Sequence, residues 1–257
     1  MLEVGLVGYG GKMGGLICDL IAQSGDLKLT SVYDHKNQRN LQSRQEDIYF
    51  SNDWGEFLKH SQAVIDFSTP QATFSLLEAC LEIPRPLVIG TTGLSEETHQ
   101  LMRKVSQSVP VVYATNTSQG INLLNQFAFL ASKILEDCDI EIVEMHHRSK
   151  KDAPSGTAMT LAEYCANARG LELEEVRVSG RDGNIGKRDK QEIGVMSLRG
   201  GDIVGRHTVG FYCDGEYLEL THTATNRKTF ALGALRAVRW VMVQKNGIFS
   251  MKEVLGQ

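Results

Sequence analysis

Residues 2–22 read LEVGLVGYGGKMGGLICDLIA. The first six form an apolar run of strand length, and from Met13 to Ala22 the apolar residues recur at helical spacing. Between them lies GYGGKMG, residues 8–14, a turn whose glycines allow unusual backbone angles and close approach to a ligand. A second strand, LKLTSVYD, follows, so the N-terminus is a β-α-β unit. Further apolar strands at 63–68 (AVIDFS), 86–90 (PLVIG) and 109–115 (VPVVYAT) alternate with helices beginning after Pro70 and Ser95. Such alternation predicts a Rossmann-like parallel sheet covered on both faces, in an α/β protein. Pro70 suits the first turn of its helix, with Ser68 or Thr69 as the cap.

The pattern changes near residue 117. A long helix (121–135), the strand DIEIVEMHH (139–147) and a helix (157–168) precede four strand-like runs, VRVSG, VMSLRGG, IVGRHTVGFY and EYLELTHTA. Successive strands predict an α+β domain with an open mixed or antiparallel sheet. The final segment, TFALGALRAVRWVMVQ, is helical again and is expected to pack back on the first domain. The expected division is residues 1–117 plus 227–257 for the first domain and 118–226 for the second. SGRDGNIGKRDKQEIG (179–194), polar and Gly-rich, reads as a mobile surface loop.

A chain of 257 residues with 42% hydrophobic content is long enough for one large or two smaller domains. Its 27 Lys and Arg against 31 Asp and Glu leave a net charge of −4, which gives no overall attraction to nucleic acid or an anionic membrane. Five scattered cysteines without a CxxC pair fit a reducing compartment better than a disulfide framework, most of them as small core residues. The opening strand leaves no room for a signal peptide, and no run approaches the ~18 apolar residues of a membrane span, so a cytoplasmic protein is expected.

Against G-x-G-x-x-G, Gly8 and Gly10 fit, but the third position is Met13 and Gly14 stands one residue late. Asp34 ends the second strand, where a carboxylate can accept from the ribose hydroxyls of a dinucleotide. His35 and Lys36 follow and suit a 2′-phosphate, which leaves NADH and NADPH both open. The loops GTTG (90–93) and ATNTSQG (114–120) also lie at C-terminal strand ends, where open parallel sheets bind ligands.

The second chemical stretch is EMHHRSKKDAPSGTA, residues 144–158. Strand alternation puts Glu144 and His146 on one face and His147 on the other, so the adjacent histidines diverge and no metal is expected. Ser155 lacks the G-x-S-x-G context of a nucleophile. Residues 154–157 read instead as a capped helix start whose amides favour a carboxylate or phosphate. With Lys150, and Lys151 or Arg148 beside it, the segment suits a small dianion, and a histidine and a lysine there can supply protons. Opposite a nicotinamide, that arrangement reads as reduction of a C=N or C=C bond.

Taken together, GLVGYGGKMG, VIGTTG, ATNTSQGINLL and EIVEMHHRSKKDAPSGTA resemble the dihydrodipicolinate reductases of lysine biosynthesis. That family's turn, G-x-x-G-x-M-G, is matched by Gly8, Gly11, Met13 and Gly14. The resemblance implies NADH or NADPH bound by Gly8, Tyr9, Gly10, Gly11, Lys12, Met13, Asp34, His35, Gly90, Thr91, Thr92, Ala114, Thr115, Asn116 and Thr117. It implies His146 and Lys150 as catalytic, and His147, Gly156 and Thr157 as binding a small cyclic dicarboxylate. The implied reaction converts 4-hydroxy-tetrahydrodipicolinate to tetrahydrodipicolinate with loss of water, in a homotetramer built through the second domain's sheet. Thr117 stands where many relatives carry Phe, and Arg227 is open between a substrate contact and an ion pair. Two other classes compete. An acylating aldehyde dehydrogenase needs an activated cysteine, which Cys138 and Cys165 do not resemble, and a dinucleotide-sensing regulator needs a basic DNA-reading module that the chain has no room for.

Overall fold

A computed structural model describes residues 1–33 and 48–256. They fall into two compact units, Met1–Gln119 with Arg227–Gln257, and Gly120–Asn226.

The first unit is built on a seven-stranded sheet. Its strands are β1 (Leu2–Val7), β2 (Leu27–Tyr33), β3 (Tyr49–Ser51), β4 (Ala63–Asp66), β5 (Leu87–Ile89), β6 (Pro110–Tyr113) and β12 (Gly247–Phe249). They lie in the order β12-β6-β5-β4-β1-β2-β3, and every pairing is parallel. The strands read as continuous apolar runs because alternate residues serve opposite faces. Val4, Leu6, Ala63, Ile65, Val88 and Val112 join one core, and Val7, Val64, Leu87, Ile89 and Val111 the other. The first core is closed by α1 (Lys12–Ala22), α8 (Lys228–Val241) and α9 (Met251–Val254), the second by α2 (Trp54–Lys59), α3 (Pro70–Glu82) and α4 (Glu96–Val105). The expected return of the C-terminal helix is seen in Ala231, Ala234, Leu235 and Val238 of α8, which pack with Val4 and Leu6. Of the two possible caps for α3, Thr69 does the work, its hydroxyl accepting from the Ala72 amide with Pro70 in the first turn.

The second unit carries a five-stranded mixed sheet of β7 (Asp139–His146), β8 (Arg177–Val178), β9 (Ile193–Arg199), β10 (Gly205–Cys213) and β11 (Glu216–Ala224), in the order β11-β10-β7-β9-β8. β10 runs antiparallel to β7 and β11, whereas β9 runs parallel to β7 and β8. Ile140, Ile142, Ile193, Val195, Val209 and Phe211 form a core with α5 (Gln119–Ile134) and α6 (Gly156–Ala168). A short helix, α7 (Leu173–Val176), precedes β8. On the opposite face Leu198, Tyr212 and Tyr217 are exposed.

Two expectations need correction. Residues 179–192 are irregular but tethered, and 193–194 already belong to β9: Arg181 forms a two-pronged pair with Glu141 of β7, both contacts at 2.9 Å, and Arg188 reaches Glu141 and Asp139. The sequence shows the basic residues of the loop but not the carboxylates that β7 turns toward them. Second, Cys138 and Cys213 are joined as a disulfide. Tyr212 pairs with Asp139, so the next residues outward on the two antiparallel chains face each other, a juxtaposition that their separation of 75 residues hides. Cys18, Cys80 and Cys165 are buried and outside the disulfide, as small core residues.

Candidate active site

In the first unit, four loops meet the C-terminal ends of β1, β4, β5 and β6, which lie side by side. Gly8 turns the chain at φ +88°, and its carbonyl accepts from the Gly11 amide at 3.0 Å. Gly14 lies against this turn, so a side chain there would strike the Gly8 carbonyl and the Tyr9 backbone. Helix α1 starts at Gly11, whose missing side chain leaves the helix N-terminus without a side-chain cap. Gly10, Gly11 and Lys12 are exposed, while Tyr9 and Met13 are half-buried. That is a fitting cradle for a pyrophosphate: positive helix end, close backbone and no competing carboxylate in the first turn. Asp34 and His35 lie outside the described residues.

Gly90 and Thr91 have structural duties in this edge. A side chain on Gly90 would collide with the Phe67 ring, and the Thr91 hydroxyl accepts from the Ser68 amide at 2.9 Å. Ser68 in turn donates to the carboxylate of Asp66, which also takes the Thr73 hydroxyl at 2.5 Å. Asp66 is wholly buried, and burial raises its pKa to about 6 in spite of those donors. Thr92 is exposed, and the Ala114 amide donates to Ile89. Thr115 is exposed, whereas the Asn116 side chain accepts from the Ser118 amide. Thr117 is buried and donates to the Phe230 carbonyl of α8 at 2.6 Å. Its hydroxyl thus ties the loop to the returning helix rather than presenting itself at the edge.

In the second unit, β7 alternates as the sequence suggests, with Ile140, Ile142, Glu144 and His146 turned to the core side. Glu144 is fully buried and its carboxylate is saturated. It accepts from His146 Nδ1 at 2.6 Å, from both Nη atoms of Arg199 at 2.8 and 2.7 Å, and from the Ser155 amide at 3.0 Å. Burial alone would raise its pKa, but the Arg199 guanidinium and His146 prevail and hold it at about 2. His146 is lowered from the ordinary histidine value, mainly by burial, with Glu144 pulling the other way. Beside it, ring centroids 5.1 Å apart, stands His207, which burial pushes down to about 3 and whose Nε2 meets the Ser155 hydroxyl at 3.1 Å.

Ser155 therefore serves as the N-cap of α6, its oxygen accepting from the Ala158 amide. The first turn, Gly156 and Thr157, stands at the positive end of the helix dipole. Lys150 is turned back from His147 by a 3.0 Å backbone bond and pairs with Asp152 at 2.9 Å, while Lys151 is exposed. The His147 amide is held by the Ile203 carbonyl. The structure thus brings His146, Lys150 and the start of α6 together around Glu144, while His147 is placed only by its backbone bond to Ile203. Sequence reading missed Arg199 and His207, which enter from neighbouring strands and announce themselves by no local motif. Among the described residues no cluster of His, Cys, Asp and Glu is placed to hold a metal ion. Burial pushes the Cys165 thiol up to about 12 and Cys138 is in the disulfide, so neither can act as the activated thiolate of an acylating dehydrogenase.

Comparison with known proteins gives the family. Residues 2–117 match the family profile described as dihydrodipicolinate reductase, N-terminus, and residues 120–255 the profile described as dihydrodipicolinate reductase, C-terminus. The 4-hydroxy-tetrahydrodipicolinate reductase of Wolinella succinogenes is 53% identical over 257 residues, covering 100% of both chains. That of Helicobacter hepaticus is 52% identical and covers 99% of each. Among solved structures, dipicolinate-bound dihydrodipicolinate reductase from Paenisporosarcina sp. TG-14 superposes with a TM-score of 0.79 at 26% identity, covering 97% of each chain. A scyllo-inositol dehydrogenase from Lactobacillus casei, solved with NAD(H), shares the fold with a TM-score of 0.59 at 13% identity, covering 100% of this chain and 94% of that one.

Proposed function

The chain belongs to the dihydrodipicolinate reductase family, and on that premise we propose that it reduces 4-hydroxy-tetrahydrodipicolinate to tetrahydrodipicolinate with NADH or NADPH, releasing water, on the diaminopimelate route to lysine. The observation that carries the reading is the buried Glu144–His146 pair beside the first turn of α6, an acid–base group next to an anion-binding helix end. The first unit holds the dinucleotide through Gly8–Met13 at the start of α1, with Asp34 and His35 for the ribose and residues 90–92 and 114–117 for the nicotinamide end. The bound cofactor supplies the hydride. The chain's own task is to hold the substrate and to balance charge. His147 and the amides of Gly156 and Thr157 take the carboxylates, as the dipole there favours. His146, as the imidazolium with Nδ1 held by Glu144, donates from Nε2, and it and Lys150 beside it supply the proton that hydride addition calls for.

Both dinucleotides serve in this reading. The enzyme works in the cytoplasm as a homotetramer assembled through the outer sheet face, where Leu198 and Tyr217 are exposed. No helix among the described residues is long and apolar enough to cross a membrane. The decisive experiment follows the absorbance of NADH, and separately of NADPH, on adding freshly generated 4-hydroxy-tetrahydrodipicolinate to the purified protein. Oxidation of one or both is expected, and oxidation of neither overturns the assignment. Light scattering on the same sample reads the oligomer.

A further inference from the structure

Glu144 is fully buried behind the site, yet its carboxylate accepts four hydrogen bonds. Its three partners come from three places in the chain, His146 on its own strand, Arg199 at the end of β9 and Ser155 at the cap of α6, and Arg199 also donates to the Asp152 carbonyl at 2.5 Å. The register explains how they meet. β9 runs parallel to β7 with Arg199 opposite His146, so the guanidinium lies on the same face as Glu144 and His146. Because the carboxylate can only accept, the hydrogen shared with His146 sits on Nδ1. Nε2 then faces the other way. Among the described residues it has no hydrogen-bond partner, and the adjoining strand makes room for it with Gly205, where a Cβ would stand 3.1 Å from that atom.

We propose that Glu144, clamped by Arg199, is the positioning residue of the active site: it fixes His146 with its proton on Nδ1, aims Nε2 at the substrate and, through the Arg199–Asp152 bond, holds the turn that carries Lys150. The proposal rests on the reductase reading for what His146 does, but not for how it is held. The charged and titratable groups facing His146 are Glu144 from β7, Lys150 from the following turn, Arg199 from β9 and His207 from β10. Only Glu144 among them favours the imidazolium. Removing its charge therefore makes His146 a stronger acid, one that loses its proton at lower pH.

The test uses the whole protein labelled with ¹⁵N-histidine, the His146 signals being assigned by their loss in H146Q. In the unsubstituted protein the neutral ring is expected as the Nδ1–H form, and a predominant Nε2–H form overturns the proposal without any variant having to fold. In E144Q the His146 titration is expected to move down by about one unit or more. The kcat should fall by about tenfold or more, because the wrong tautomer and a misaimed ring are then populated, with the alkaline limb of the rate profile displaced in step and the KM for NADPH unchanged. A variant that is merely less stable gives no displacement, so an E144Q limb and His146 titration coincident with those of the unsubstituted protein overturn the proposal. The ring signals are read without substrate. Failure of the unsubstituted protein to oxidise NADH or NADPH therefore counts against the function proposed above, and a wrong tautomer counts against the clamp.

Discussion

Two adjacent lysines of equal charge are separated only by where the turn leaves them. Lys150 is three-quarters buried along its side chain and anchored to Asp152, whereas Lys151 is exposed. Lys150→Ala is expected to lower kcat on the order of 10² or more, the usual contribution of a positioned general acid, while Lys151→Ala leaves kcat within about twofold. Steady-state kinetics of the two variants check this, and equal effects would remove Lys150 from proton delivery. Residue by residue, the site is only partly legible in the sequence. The spacing of Glu144 and His146 on a strand is enough to put them on one face, and S-G-T after a proline is enough to mark a helix start. Arg199 lies 55 residues beyond Glu144 and pairs with it only because β9 threads in parallel next to β7, a choice no local pattern records. Asp66 escapes notice for another reason: within AVIDFS it looks like the polar end of a strand, and its burial depends on Thr73 and Ser68 folding over it.

At the scale of elements, the turn between β1 and α1 makes the sharpest claim. Gly14 and Gly15 are neighbours on α1, yet a Cβ at Gly14 would strike the Gly8 carbonyl while one at Gly15 meets nothing within 4 Å. Gly14→Ala is expected to cost about 1–3 kcal/mol of stability by overpacking and to displace the turn proposed to hold the pyrophosphate, so that affinity for NADH and NADPH falls together. Gly15→Ala should stabilise the helix by up to about 1 kcal/mol and leave affinity intact. Denaturant melts with cofactor titrations separate the two, and a Gly14→Ala protein with unaltered affinity would show that the turn is not the cradle. The long elements were readable because their apolar period runs over many residues and their ends carry Pro, Ser or Thr. The missed ones, β3, α2, α7, β12 and α9, span three to six residues each, too short for a period to show, and exist because neighbouring strands and helices complete them.

For the whole molecule, the two buried carboxylates set the units in opposition as acid is added. Glu144 in the second unit has its pKa held at about 2 against an ordinary 4.5. Its contribution is complete above pH 4.5 and is lost as the pH falls toward 2. The shift corresponds to about 3 kcal/mol. Asp66 in the first unit is raised to about 6 from 3.8. Native protein therefore binds the proton more tightly than unfolded chain, so this group stabilises fully below pH 3.8 and the benefit disappears as the pH rises through 6, again about 3 kcal/mol. Acidification from pH 5 to pH 2 thus weakens the second unit while the first keeps or gains stability from Asp66. Both tryptophans, Trp54 and Trp240, belong to the first unit, so their fluorescence reports that unit alone while far-ultraviolet circular dichroism reports both. The dichroism signal is expected to begin its loss at higher pH than the tryptophan signal, and E144Q, which lacks the charged carboxylate at every pH, should weaken the second unit already at pH 7 and remove Glu144's share of its acid response. Asp66→Asn tests the other half: it should flatten the pH response of the tryptophan signal and leave the earlier dichroism phase in place. Coincident transitions in the unsubstituted protein would mean that the units unfold as one, with the two carboxylates cancelling within a single cooperative step.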